Sequence, residues 1–244
     1  MPILSDNEKL ERKIISRFQK AIYDYNLICD NDKILIGISG GKDSLCLVDL
    51  ISRRLKINKP SFSVEALHIR MANIKYESDI SYLKNFTESR GIKFNVVTTE
   101  FNAMTDKRKS PCFLCSWNRR KQLFTIAQEL GCNKIALGHH MDDIIHTTMM
   151  NLYFQGSFST MPVRLKMRKM PITIIRPLCL EEEKDIKQYA INNNYKKQIK
   201  LCPYETDSHR NDICLLFNEV EKMNNEARYS IWNALEKNGK LIEE

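Results

Sequence analysis

Apolar residues recur at helical spacing near the start of the chain. Leu10, Ile14, Ile15, Phe18 and Ile22 fall along one face between Glu8 and Asn26, which predicts an amphipathic helix. After the polar break Asp30-Asn31-Asp32 the pattern changes. Lys33 to Ile38 is an apolar run of strand length, followed by Gly40-Gly41 and a renewed helical period from about Asp43 to Leu55. Strands are predicted at Phe62 to Ile69 and Lys93 to Thr98, separated by a helix from about Asp79 to Arg90 that Gly91 closes. A helix from about Trp117 to Leu130 ends at Gly131, and Lys134 to Gly138 reads as a strand opening onto a helix near Asp142. Ile172 to Ile175 is the last predicted strand. The helix after it, about Glu181 to Asn192, starts with three glutamates that suit a helix amino end. Two short helices, Arg210 to Met223 and Glu226 to Lys237, complete the pattern.

Alternating strands and helices predict an α/β fold: a Rossmann-like parallel sheet with helices on both faces and a helical C-terminal tail. At 244 residues the chain can bury a sizeable core as one main domain, 31–200, between an N-terminal helix, 1–30, and the tail, 201–244. Gly and Pro are sparse, and hydrophobic residues at 43% argue against disorder. The apolar runs are strand-sized and the first residues lack a signal-peptide stretch, so a cytoplasmic protein with no membrane partner is expected.

Charge adds a partner class. The formal net charge of +8 is compatible with a polyanion, and six basic residues crowd between Asp106 and Lys121: Lys107, Arg108, Lys109, Arg119, Arg120 and Lys121. A second basic stretch holds Arg164, Lys166, Arg168 and Lys169. Each residue alone reads as solvated surface. Together with Phe113 and Trp117, the first cluster suits a splayed single-stranded RNA loop, whose phosphates need neutralising and whose bases stack.

Ser39-Gly40-Gly41-Lys42-Asp43-Ser44 stands where a strand turns into a helix. The glycines let backbone amides approach an anion, and the helix directs its amino-terminal dipole to the same place. Ser39, Ser44 and Lys42 add side-chain donors. A carboxylate beside phosphates is best tolerated with a cation between them, so Asp43 implies Mg²⁺. The loop is not a Walker A loop, because Asp43 follows Lys42 where that motif needs Ser or Thr.

Eight cysteines without an export signal point to a reducing compartment and to metal or catalytic chemistry before disulfides. Cys112 and Cys115 form a C-x-x-C pair in a loop just before a helix, and Cys202 is the candidate third thiolate. Three thiolates suit a 4Fe-4S cluster with one open iron. Structural Zn²⁺ wants four ligands, which Cys214 or His209 would complete. Cys29, Cys46, Cys132 and Cys179 lie in or beside apolar segments and read as packed thiols.

These pieces together resemble the tRNA 2-thiocytidine synthetase (TtcA) group of the PP-loop ATP-pyrophosphatase (adenine nucleotide α-hydrolase) superfamily. The resemblance runs from about Ile34 to Cys202. It rests on Ser39 to Ser44, Cys112-Phe113-Leu114-Cys115, Leu137-Gly138-His139-His140 with Asp142-Asp143, Met161-Pro162, and Ile175-Arg176-Pro177-Leu178. It implies that residues 31–200 are a PP-loop ATP-pyrophosphatase domain and that Cys112, Cys115 and Cys202 hold a 4Fe-4S cluster. It implies further that ATP and Mg²⁺ adenylate the C2 oxygen of an anticodon-loop cytidine in tRNA, which sulfur then replaces. A sulfur donor such as a cysteine desulfurase, and a homodimer, are compatible with it. His146 stands where the family has a Glu, and the tail departs from the family pattern. Two rival readings are a PP-loop ligase that attaches an amine to tRNA around a zinc site and a non-catalytic ATP-sensing module.

Lys42, Asp43, Asp142 and Asp143 are the expected catalytic residues, and Ser39 to Ser44, His140 and Arg176 the expected nucleotide contacts. The alternatives are structural. Asp142 and Asp143 also suit a helix amino end, one of His139 and His140 would pack beneath the loop, and Arg176 would form a surface ion pair. His68 reads as a packed or surface histidine.

Overall fold

The computed structural model describes residues 4–73, 79–101, 110–197 and 209–244. Ser5 opens the first helix, α1 (Asp6–Asp24), through a reciprocal capping box with Glu8, and Ile14, Phe18 and Ile22 form its buried stripe. The core then alternates: β1 (Lys33–Ile38), α2 (Lys42–Leu55), β2 (Ser63–Met71), α3 (Ile80–Glu88), β3 (Lys93–Thr99), α4 (Pro111–Glu129), β4 (Lys134–Ala136) and α5 (Met141–Gln155). It continues through β5 (Arg164–Lys166), β6 (Thr173–Ile175), α6 (Glu183–Asn192), α7 (Arg210–Met223), α8 (Ala227–Lys237) and β7 (Ile242–Glu243).

The strands form one sheet in the order β3-β2-β1-β4-β6-β5-β7. The first five are parallel, with Ile36 opposite Ala66 on one side and Ala136 on the other. The predicted all-parallel sheet needs a correction at one edge: β5 runs antiparallel to β6, and β7 adds beyond it. Both added strands are only two or three residues long, too short to carry an alternation legible in sequence.

Alternate residues of β1 serve opposite faces, as the two-residue period of a strand requires. Ile34, Ile36 and Ile38 join the large core with α1, α2, α5, α6 and the C-terminal helices. Leu35 faces a smaller cluster with Leu67, Ile135, and Leu123 and Ala127 of α4. Helices therefore cover both faces, unevenly. No helix among the described residues is long and apolar enough to cross a membrane.

Candidate active site

The chain leaves β1 toward β2 and β3 and later returns to the other side of β1 as β4, so the sheet order switches between β1 and β4. A crevice opens beyond the carboxyl ends of strands at such a point. Two loops line it: Ser39 to Gly41 after β1, and Leu137 to His140 after β4.

The first loop is shaped by its glycines. Gly40 has φ +85°, a region that L side chains avoid, and Gly41 caps α2 without any side-chain acceptor. The opening amides of α2 are thereby left to an anion, with the helix dipole aligned on the same point. The serines brace the turn: Gly41 N–H donates to Ser39 Oγ at 3.2 Å, Ser44 Oγ donates to the Gly41 carbonyl at 2.9 Å, and the two hydroxyls lie 3.3 Å apart. Gly138 fits against this turn from the second loop. A Cβ there would stand 3.0 Å from the Asp43 carbonyl carbon and oxygen and 3.1 Å from Ser44 N.

Lys42 Nζ lies 2.9 Å from Glu183 at the start of α6 and 3.2 Å from Asp43 Oδ1. Burial disfavours its charge, but Asp43 and Glu183 outweigh that and raise its pKa. Asp43 Oδ1 is shielded from solvent and has no well-directed hydrogen bond. His140 is buried with Nε2 3.8 Å from Asp43 Oδ1 and 3.5 Å from Asp143 Oδ2, and Nδ1 3.5 Å from Asp142 Oδ2. Burial opposes its protonation, yet Asp142, Asp143 and Asp43 together raise its pKa. His139 shifts the other way, through burial and the nearby Arg176 charge.

The paired aspartates at the start of α5 have separate surroundings. Asp142 Oδ2 accepts the Glu183 N–H at 2.8 Å, and Oδ1 accepts Arg228 Nη1 at 2.6 Å. Despite burial, His140, Arg228 and the Glu183 amide hold its carboxyl far below the usual range. Asp143 accepts the His140 N–H at 3.2 Å and stays partly open, with Arg210 3.8 Å away. Asp43 and Asp143 are thus the carboxylates with capacity left for a cation, and two hard oxygen donors fit Mg²⁺ that completes its shell with phosphate and water. Among the described residues no three His, Cys, Asp or Glu side chains form a metal site by themselves.

Arg176 is buried, which takes its pKa down to about 10, and its Nη1 donates to the Pro162 carbonyl. It fixes the segment ahead of β5. On the other side of Ser39, a groove of about 150 Å³ runs between the ends of β1 and β2 and helix α4, with Ile38, Leu67, Ile69, Leu123 and Leu137 as apolar walls. His68 sits in it, buried within β2; Nδ1 lies 2.8 Å from the Ile38 carbonyl, and Nε2 has no hydrogen-bond partner among the described residues.

Cys112 lies in the first turn of α4 and Cys115 just beyond it, correcting the expectation of a loop before the helix. Ser110 caps that turn by accepting the Phe113 N–H at 3.3 Å, and Pro111 supplies its fixed φ at the first helical position. A three-residue spacing on a helix puts both thiols on one face. Cys112 is exposed, whereas Cys115 packs with Met71 at the end of β2 and Phe101 beyond β3. This is the carboxyl edge of the sheet, where the phosphate loop also lies. Cys202 and Lys107 to Lys109 fall outside the described residues. Cys46, Cys132 and Cys179 are buried; Cys29 is exposed, its Sγ 3.7 Å from Lys134 Nζ, which corrects its reading as a packed thiol. The correction follows from its position after the buried Leu27-Ile28, in the turn that leads to β1. His209 stacks on Phe154 at 4.8 Å, and Cys214 lies in α7, where burial raises its pKa together with the charges of Glu183 and Asp142.

Phe113 and Trp117 are exposed on α4, with Lys121 Nζ 5.6 Å over the Trp117 ring. Part of the second basic stretch is neutralised by the C-terminus: Arg164 pairs with Glu244 at 2.6 Å and Arg168 with Glu243 at 3.5 Å. Sequence reasoning missed Glu183, Gly138 as a packing residue, and Arg228. A glycine closing a strand beside the loop was a usable signal. Glu183 looked like one of three equivalent glutamates, and nothing local marks Arg228.

The PP-loop domain family matches residues 8–211. The tRNA-cytidine(32) 2-sulfurtransferase 1 of Francisella tularensis subsp. novicida (strain U112) is 33% identical over 233 residues, 93% of this chain and 86% of that protein. The tRNA-cytidine(32) 2-sulfurtransferase of Geobacter metallireducens is 32% identical over 236 residues, covering 94% and 91%. Among solved structures, the U34-tRNA thiolase NcsA from Methanococcus maripaludis, with its 4Fe-4S cluster, superposes with a TM-score of 0.80 at 26% identity, over 94% of this chain and 80% of that one.

Proposed function

The chain belongs to the PP-loop domain family and, within it, to the group of the tRNA-cytidine 2-sulfurtransferases, and on that premise we propose that it is an ATP-dependent tRNA thiolase acting on a cytidine. The observation that carries this reading is a juxtaposition. Helix α4 seats Cys112 and Cys115 at the same carboxyl edge of the sheet as the phosphate loop.

ATP enters with its triphosphate on the open amides at the start of α2 and beside Lys42. The apolar groove between β1, β2 and α4 takes the nucleoside, whose polar edge meets the unpaired His68 Nε2. Asp43 and Asp143 would hold Mg²⁺, and His140, with Nε2 3.8 Å and 3.5 Å from their carboxylates, keeps the two in place. The cytidine C2 oxygen attacks the α phosphorus, the α–β phosphoanhydride bond breaks, and pyrophosphate leaves. The resulting AMP ester turns a poor leaving group into a good one. Sulfur then bonds to C2 while the C2–O bond breaks and AMP departs with the oxygen. Cys112, Cys115 and Cys202 would hold the 4Fe-4S cluster, which when bound supplies the sulfur nucleophile. The exposed Cys112 and the buried Cys115, on one helical face, are a suitable donor pair for it. A donor such as a cysteine desulfurase replenishes the sulfur as a persulfide, which two electrons from an external thiol reductant bring to the sulfide level, and the reaction belongs in the cytoplasm. The test is pyrophosphate release from ATP and Mg²⁺. It should require tRNA and vanish in Lys42→Ala and Asp43→Asn; release at the same rate without tRNA overturns the reading.

A further inference from the structure

A cleft of about 600 Å³ opens from the phosphate loop on the side away from the nucleoside groove. Gly40, Gly41 and Lys42 form one end, and α6 with the residues just after it forms the other wall. Glu183, Lys187 and Ile191 follow one another at four-residue intervals on α6, so they make a single stripe running about 12 Å from the loop. Lys196 and Lys197 close the far end.

The charges in this cleft are not equally available. Lys42 and Glu183 answer each other at 2.9 Å, and Lys196 Nζ is held by Asp79 at 2.5 Å. Lys187 and Lys197 are exposed and make no ion pair among the described residues. The cleft thus carries two uncompensated cations: Lys187, about one helical turn on from the Glu183 that pairs with Lys42, and Lys197, beyond the end of α6. Between them lies an apolar step: Ile191 is 60% exposed, a large hydrophobic residue in a basic channel. A triphosphate anchored on the α2 amides has no use for an apolar step two turns along α6, or for a cation beyond the end of that helix. A single-stranded polynucleotide has use for both, because each nucleotide presents a phosphate and a base or sugar face.

We propose that this cleft binds the backbone of single-stranded RNA next to the reacting nucleotide, with Lys187 and Lys197 as phosphate contacts and Ile191 as an apolar support. The inference rests on the tRNA-thiolase reading and adds to it where the strand lies: along α6, on the opposite side of the phosphate loop from the nucleoside groove. The two ligands then approach the loop from opposite sides.

The test is the salt dependence of tRNA binding by the full-length protein carrying Lys187→Ala and Lys197→Ala together. Loss of two single-strand phosphate contacts should make the slope of log K against log salt shallower by about 1.4, with weaker binding at every salt concentration. The KM for ATP at saturating tRNA should stay unchanged, and Lys187→Arg with Lys197→Arg should restore the slope. A variant that keeps the wild-type slope while the wild type releases pyrophosphate in response to tRNA overturns the cleft assignment alone. A raised KM for ATP with an unchanged slope assigns the cleft to the triphosphate and overturns it equally. If wild-type protein shows no tRNA-dependent pyrophosphate release, both the thiolase reading and this inference fail.

Discussion

Arg228, near the start of α8, donates through Nη1 to Asp142 Oδ1 at 2.6 Å, so a residue 86 positions away secures the crevice. Asp142 in turn accepts the Glu183 N–H at the head of α6, and Glu183 pairs with Lys42 on the phosphate loop. The other side of Arg228 is held by Glu221 at 2.9 Å, and its guanidinium lies 5.3 Å from the Phe217 ring centroid on α7. The C-terminal helices therefore set the position of α6 and, through it, the loop lysine.

Removing one partner of a buried ion pair leaves the other uncompensated, at a cost of about 3–5 kcal/mol. Arg228→Met should lower unfolding stability toward that range in chemical denaturation and raise the KM for ATP. Unchanged stability would mean that the tail does not organise the site.

Gly138→Ala places a methyl 3.0 Å from backbone atoms of Asp43, which cannot rotate away. Overpacking of this kind costs about 1–3 kcal/mol, which corresponds to roughly five- to 150-fold in kcat/KM if it acts on the loop. Isothermal titration with a non-hydrolysable ATP analogue should show weakened binding while far-UV circular dichroism is retained.

Glu181 is fully buried, neither carboxyl oxygen has a hydrogen-bond partner among the described residues, and burial pushes its pKa up to about 8. The native state then holds a proton that the unfolded chain releases near the ordinary glutamate value of 4.5, so stability falls as pH rises between the two. Raised His140 works in the same direction: its contribution is full below the unfolded pKa and is lost as pH passes the folded one. Relative to wild type, Glu181→Gln should remove a fall of Tm between about pH 5 and about pH 8, on top of the opposing rise contributed by His139, His68 and His146, whose lowered pKa values favour the native state as they lose their protons. Parallel Tm profiles for variant and wild type would show that Glu181 is not held neutral.

Cys112→Ser separates the two halves of the reaction. The phosphate loop is untouched, so tRNA-dependent pyrophosphate release should persist while iron-dependent absorbance after anaerobic reconstitution and thiolated product are both lost.

Much of the fold was legible because the buried strands and amphipathic helices carry clean periods: the order from α1 to α6, β5 apart, and the span Arg210–Met223 follow from them. The antiparallel β5 and the β7 edge were not, since two or three residues define no period. The phosphate loop was legible because its glycines and its strand-to-helix position are local facts. The sequence pattern starts α4 too late, at Trp117, because Cys112 to Cys115 resemble a metal loop, although Ser110 and Pro111 are ordinary signals of a helix start. The division of labour between Asp142 and Asp143 depends on Arg228 and Glu183, which only the tertiary fold brings near. No local pattern could separate two adjacent carboxylates.

In the proposed function one site both activates a cytidine oxygen with ATP and replaces it with sulfur. Its most direct test is mass spectrometry of nucleosides from tRNA incubated with anaerobically reconstituted protein, ATP, Mg²⁺ and a sulfide source. The expected result is an oxygen-to-sulfur exchange at a cytidine that disappears when ATP is omitted or Asp43 is changed to Asn. Pyrophosphate release with no thiolated nucleoside, or an added amine in its place, would contradict the account.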